Sequence, residues 1–151
     1  MRLWLLVHWI GLILWLGPGV AAMFMNIRAR REPPSVRALL ARLLAPVHGV
    51  LIGPGALLTA VTGVVLTMRL ARTGMPMGSI GLMVMQGAGL VGALVVLFVV
   101  LPAAARLARV AAAVQGDELP PAFTALRKRV VVGSSVGGTL GVIALVAAIF
   151  G

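Results

Sequence analysis

Four stretches of about twenty residues carry almost no charge, and this pattern narrows what the chain can become more than any other. They run roughly over residues 3–25, 43–68, 79–101 and 130–150. Each is long enough to cross a bilayer, since about 20 residues at 1.5 Å each cover the hydrocarbon core as a helix. Hydrocarbon offers the peptide group no partner, so a spanning segment has to satisfy its own N–H and C=O groups. With 61% hydrophobic and 11% charged residues among 151, the balance is not that of a water-soluble domain. The expected fold is an all-α transmembrane four-helix bundle, one transmembrane domain over residues 1–151 with kinked helices and the lipid bilayer as its first partner.

The charge pattern sets the expected orientation. The net charge is +10, from twelve arginines and Lys128 against Glu32, Asp117 and Glu118. Arg2, Arg69 and Arg72 fall on one side of the four spans. Arg28, Arg30, Arg31, Arg37 and Arg42, with Arg106, Arg109, Arg127, Lys128 and Arg129, fall on the other. Short loops rich in Arg and Lys stay in the cytoplasm, which predicts N and C termini outside (periplasmic) and a multi-pass protein of the bacterial inner (cytoplasmic) membrane. The same distribution disfavours nucleic acid, because short loops make no continuous basic face. Arg28, Arg30, Arg31, Arg127, Lys128 and Arg129 are expected to meet anionic lipid. A cleaved signal peptide would place its positive charge before the first apolar run, whereas here the arginines follow it, so the first span is expected to be retained. The apolar pattern continues through Leu107 to Val114 and restarts at Ala38, so the helices should overrun the spans. Ser35, after Pro33 and Pro34, is the expected N-cap of the second.

Several chemistries are excluded at once. The chain has no cysteine, hence no disulfide, thiolate metal site, iron–sulfur cluster or covalently attached haem. No carboxylate lies within the spans, which argues against proton-coupled transport and acid-lined cation channels. The serines lack the Gly-x-Ser-x-Gly elbow and an acid–histidine pair, so no hydrolase is indicated.

Packing is the strongest remaining signal. Helices associate in lipid where small residues let their backbones approach. Gly133, Gly137 and Gly141 form a four-residue ladder in the last span; Gly49 with Gly53, and Gly55 with Thr59 and Gly63, do so in the second. These are read as helix-packing faces, within the bundle or against another membrane subunit. A Gly-Pro-Gly triplet lies in the first span (residues 17–19) and another in the second (53–55). Pro18 and Pro54 leave the carbonyls of Leu14 and Val50 without a helical donor, so each triplet predicts a kink.

The polar side chains within the spans define the candidate sites. Trp4, His8, Gly11 and Trp15 recur at offsets of four, three and four, on one helix face. A neutral imidazole beside a glycine gap and flat aromatics suits a haem or another tetrapyrrole, with His8 as the metal ligand; the plainer role is a histidine bonded to a neighbouring helix or water. His48, after Pro46, reads as a structural histidine bonded to a loosened carbonyl. It lies near the opposite boundary from His8, so the two cannot clamp one iron. Gln86, Ser134, Ser135 and Thr139 read as hydrogen-bonding glue. Met75, Met77, Met83 and Met85 could suggest a thioether copper cluster, but the spacing of Met83 and Met85 spreads them over different helix faces, and they read as lipid-facing or gap-filling.

Three stretches carry a family likeness: residues 5–11 (Leu, Leu, Val, His, Trp, Ile, Gly), the run from Gly53 to Gly63, and the run from Leu119 to Arg129. With them the whole chain resembles a loose group of small bacterial four-helix membrane proteins. The group includes an uncharacterised integral membrane family, the copper-resistance D-type membrane domains and the membrane-bound protoporphyrinogen oxidase. The uncharacterised family looks closest and implies topology without a reaction. The oxidase resemblance implies a haem-associated position at His8, while the third span offers Gln86 where such proteins tend to carry further polar or basic residues. The reading is a non-enzymatic membrane subunit or accessory protein packed against a larger complex, with a haem-linked or porphyrin-handling redox protein centred on His8 as the alternative.

Overall fold

The computed structural model describes residues 2–74, 78–114 and 118–150. Among them lie four helices long and apolar enough to cross a membrane, and no strand. Helix α1 covers Arg2–Arg28 and is carried on by a 3-10 turn, Ala29–Arg31. Helix α2 runs Pro34–Ala71, α3 Ile80–Ala112 and α4 Pro121–Phe150. They alternate in direction. One end of the bundle gathers the start of α1, the α2–α3 link and the end of α4, and is called the terminal end. The other gathers the α1–α2 and α3–α4 links and is called the arginine end.

Large apolar side chains point outward along all four helices, among them Leu3, Ile13, Val50, Ile80, Phe98 and Ile149. Water does not tolerate so continuous an apolar exterior, and hydrocarbon requires it. Length supports the same solvent: at 1.5 Å per residue the 38 residues of α2 reach about 57 Å, well beyond a core about 30 Å thick. Two cores divide this length. Midway along the bundle, Trp15, Ile52, Ala56, Ala93 and Val96 pack together. Toward the arginine end a second core joins Ala38, Val100, Ala103, Ala104, Leu107, Ala111, Phe123 and Val130. The overrun expected at Ala38 and Leu107 thus serves packing: Ala103, Ala104, Leu107 and Ala111 bury one face of α3 while Arg106 and Arg109 stay exposed.

Small residues set the closest approaches. An ideal Cβ on Gly11 would lie 2.6 Å from Thr59 Oγ1 and 2.9 Å from the Thr59 amide nitrogen; on Gly55 it would fall 2.6 Å from the Trp15 nitrogen. Helices α1 and α2 therefore cross backbone to backbone. Helices α3 and α4 do the same at Gly92 and Gly137, each of whose added Cβ would come within 3.2 Å of the other's carbonyl oxygen. Gly53 packs on Leu101, Gly133 on Val100, and Gly141 on Leu16 and the Trp15 ring. Gly49 stands apart from the ladder expected for it: it is exposed, and an added Cβ would meet nothing within 4 Å.

Proline leaves its mark in an unexpected form. Residues Val47–Ile52 of α2 and Val96–Val100 of α3 are π-helical. In both, the residue just before a proline donates five residues back, Gly53 to the His48 carbonyl and Leu101 to that of Val96. In a plain α-helix the rings of Pro54 and Pro102 would press on the carbonyls four residues earlier. Widening the preceding turn relieves that clash. The triplet of α1 behaves differently, because Pro18 lies within residues that stay α-helical.

The ends follow ordinary capping rules, with one correction. Helix α2 begins with Pro34 in its first turn and has Pro33 as its N-cap, without a side-chain bond, so Ser35 already lies inside the helix and is not the cap. The Ser79 hydroxyl accepts from the Leu82 amide at 3.3 Å and caps α3. Gly74, at φ +76, reverses the chain after α2 where a side chain would be strained.

Candidate ligand cavity around His8

The four helices close on one another at Trp15 and part toward the terminal end, because α1 with α2 and α3 with α4 cross near their midpoints. Trp15 is the plug: only 2% exposed, it sets its backbone against Gly55 of α2 and its ring against Gly92 of α3 and Gly141 of α4. Above it opens a cavity of about 590 Å³ with apolar walls from all four helices, including Leu5, Leu12, Ala60, Leu82, Ala144 and Leu145.

A few polar groups break this lining: His8, Thr59, Thr67 and Gln86. The His8 Nδ1 lies 2.9 Å from Thr62 Oγ1. The Thr62 hydroxyl has one proton, and its shortest contact is the Leu58 carbonyl at 2.6 Å. With that proton committed to Leu58, the tautomer protonated at Nδ1 is the one that donates to Thr62. In the neutral ring this leaves the Nε2 lone pair as a basic acceptor, the state a metal or a hydrogen-bond donor needs. Gly63 makes room for the imidazole, since an ideal Cβ there would touch Cε1 at 3.4 Å. Gln86 Nε2 donates to Thr67 Oγ1 at 3.1 Å, joining α3 to α2 across the cavity wall as interhelical glue.

The face read from the sequence separates into different jobs. His8 and Trp15 line the cavity, Gly11 is consumed by the helix crossing, and Trp4 is placed elsewhere. Its ring lies 5.6 Å from the Arg69 guanidinium carbon, which ties the start of α1 to the end of α2. The indole that joins His8 in the lining is Trp9. Sequence reasoning passed over Trp9 because it lies on no shared stripe with His8; nothing but the opening between helices reveals it. Met85 also lines the cavity whereas Met83 is exposed, and Met75 and Met77 lie outside the described residues, as do Gln115 and Asp117.

His48 belongs to a different place. It is 2% exposed, donates from Nδ1 to the Leu44 carbonyl at 2.8 Å, and borders a pocket of about 10 Å³ with Asn26, Ser134 and Ser135, the lower limit for one water. The two histidines therefore face separate cavities. Among the described residues no group of three or more His, Cys, Asp or Glu could hold a metal ion.

Comparison with known families bears on this architecture. The match spans residues 2–150. The chain belongs to the DUF2269 family, described as predicted integral membrane proteins. Neither the curated proteins nor the solved structures contain a match to it. Membership in this family and four spanning helices agree that the protein is embedded in a bilayer.

Proposed function

We propose that this DUF2269 protein is a non-enzymatic, multi-pass protein of the bacterial cytoplasmic membrane, with both termini outside, that holds a lipophilic molecule in the His8 cavity. The observation that carries the reading is the cavity: about 590 Å³, lined by four helices and broken by few polar groups. Binding sites for small molecules occupy about 300–1,000 Å³ and have this make-up, apolar walls with a few convergent polar atoms. With the arginine end in the cytoplasm, the cavity opens in the outer half of the membrane.

The availability of His8 Nε2 favours one class of ligand, a flat ring system that accepts a histidine ligand or donates to one. A haem or porphyrin is the form of it that the family resemblance suggests. His8 would hold such a group from one side, with Trp9 and Trp15 available for ring contacts; the group would supply electron transfer. Docking to a larger membrane complex has a narrower basis. Gly11, Gly53, Gly55, Gly92, Gly133, Gly137 and Gly141 are all occupied within the bundle, which leaves Gly17, Gly19, Gly49, Gly87 and Gly138 in open surroundings.

The test is to purify the full chain in mild detergent and analyse co-purifying lipophilic molecules by solvent extraction, mass spectrometry and absorbance. Wild type should retain a defined non-annular molecule, while Ala60→Phe, which fills the cavity, should lose it with the helical fold intact. A Soret band that disappears in His8→Ala identifies the ligand as a tetrapyrrole. If wild type and Ala60→Phe carry the same annular lipids and nothing else, the proposal fails.

A further inference from the structure

The arginine end holds a second feature, independent of the cavity. Ala29 and Ala38 are buried on either side of the α1–α2 link, and next to them along the chain stand Arg30, which is exposed, and Arg37, which is half-buried. Arg127 lies in the second turn of α4. It is half-buried, its Nη2 donates to the Asn26 carbonyl at 2.7 Å, and the positive charges of Arg37 and Arg30 both act on it. Positive charges from three helical segments thus act together at this end of the bundle. Like charges at short range repel, so an assembly of this kind needs a counter-charge. Glu32 and Glu118 do not supply it, for among the described residues no acidic side chain pairs with an arginine or lysine.

One atom of the cluster points to what is missing. Arg37 Nε is buried and has no acceptor within the protein. Buried donors are almost always satisfied, and an ion from outside the chain is one way in which an exception is met. That partner must accept several N–H donors at once and carry negative charge, which is the chemistry of a phosphate group bound by guanidinium forks. The first turn of α2 reinforces the preference. Its N-cap is Pro33, without a side-chain cap, so free amide groups at the positive end of the helix dipole lie within three residues of Arg37.

We propose that Arg30, Arg37 and Arg127 form a specific binding site for a phosphate group at the arginine end of the bundle. An anionic lipid headgroup of the facing leaflet and free inorganic phosphate share this chemistry. The site differs from general attraction between basic loops and an acidic membrane, because it requires Arg30 and Arg37, whose charges act on Arg127, and is indifferent to Arg31 and Arg129.

The experiment uses the full chain in detergent and in phosphatidylcholine nanodiscs, titrated with phosphatidylglycerol or with inorganic phosphate and read by native mass spectrometry and thermal unfolding. Wild type should retain one phosphatidylglycerol. Arg37→Gln and Arg30→Gln should each weaken retention about tenfold, the loss of one charge-assisted pair; Arg31→Gln and Arg129→Gln should leave it unchanged. Competition by inorganic phosphate would show that the phosphate group alone is read, and its failure to compete would assign the site to lipid. If Arg37→Gln does not fold, Arg30→Gln at the exposed turn carries the test. Equal losses in all four variants, or no binding of either probe by wild type, would overturn the proposal.

Discussion

The backbone of Trp15 passes Gly55 so closely that an ideal Cβ on the glycine would lie 2.6 Å from the Trp15 amide nitrogen. Backbone cannot rotate aside as a side chain can, so α1 and α2 would have to separate. Gly55→Ala should therefore destabilise the bundle by about 1–3 kcal/mol, the usual cost of overpacking. Gly138→Ala should be neutral or gain up to about 1 kcal/mol, because nothing lies within 4 Å of the added methyl and alanine favours helix. Unfolding titrations in mixed micelles would separate the two, and equal tolerance would refute the close crossing.

Trp15 itself should be far more sensitive to replacement than Trp9. Its ring fills the space between α3 and α4 at Gly92 and Gly141, and truncation of a buried tryptophan to alanine costs about 3–5 kcal/mol. Trp9 is 53% exposed, and its replacement by alanine should move stability by about 0.5 kcal/mol, as at other surface positions. Thermal unfolding of the two single variants checks the ranking.

Much of this architecture was legible in the residues. Four apolar runs gave the spans because hydrocarbon leaves a chain no alternative to helix, and the glycine ladders at Gly53, Gly55 and Gly133 to Gly141 fall at helix contacts. Gly92 was missed because a lone glycine among Gly87 and Gly89 has no periodic signal of its own. The wide turn before Pro102 escaped for a similar reason: proline announces a broken hydrogen bond, but whether the helix bends or widens depends on what packs beside it. The candidate site was legible only in part. Offsets along α1 could group Trp4 with His8, yet which of them meets a cavity depends on how the other three helices diverge, and Trp9 and Ala60 enter the lining through that divergence alone.

The role of Thr62 can be read from the histidine directly. With the Thr62 proton committed to Leu58, His8 should be the Nδ1–H tautomer, and nitrogen NMR of labelled protein would report it. Thr62→Val removes the acceptor, so the ring should lose its preferred tautomer at a cost of about 0.5–1.5 kcal/mol for the lost bond. A wild-type ring protonated at Nε2 alone would contradict the arrangement.

Sidedness is open to a background-free measurement, since the chain contains no cysteine. Thr73→Cys, in the link between α2 and α3, should react with a membrane-impermeant maleimide applied to intact cells. Lys128→Cys should react only after the membrane is opened. The reverse pattern would invert the orientation and place the His8 cavity in the inner half.

The two wide turns carry a consequence for how the chain can change length. A π turn holds one residue more than the α turn it replaces, so α2 and α3 each contain a single residue of slack, at Val47–Ile52 and at Val96–Val100. Shortening the chain by one residue elsewhere in α2 or α3 would rotate everything beyond it by about 100° and turn buried positions toward lipid. At these two places alone, loss of a residue can be absorbed by tightening the coil, so they are where natural variants differing by one residue can keep the same bundle.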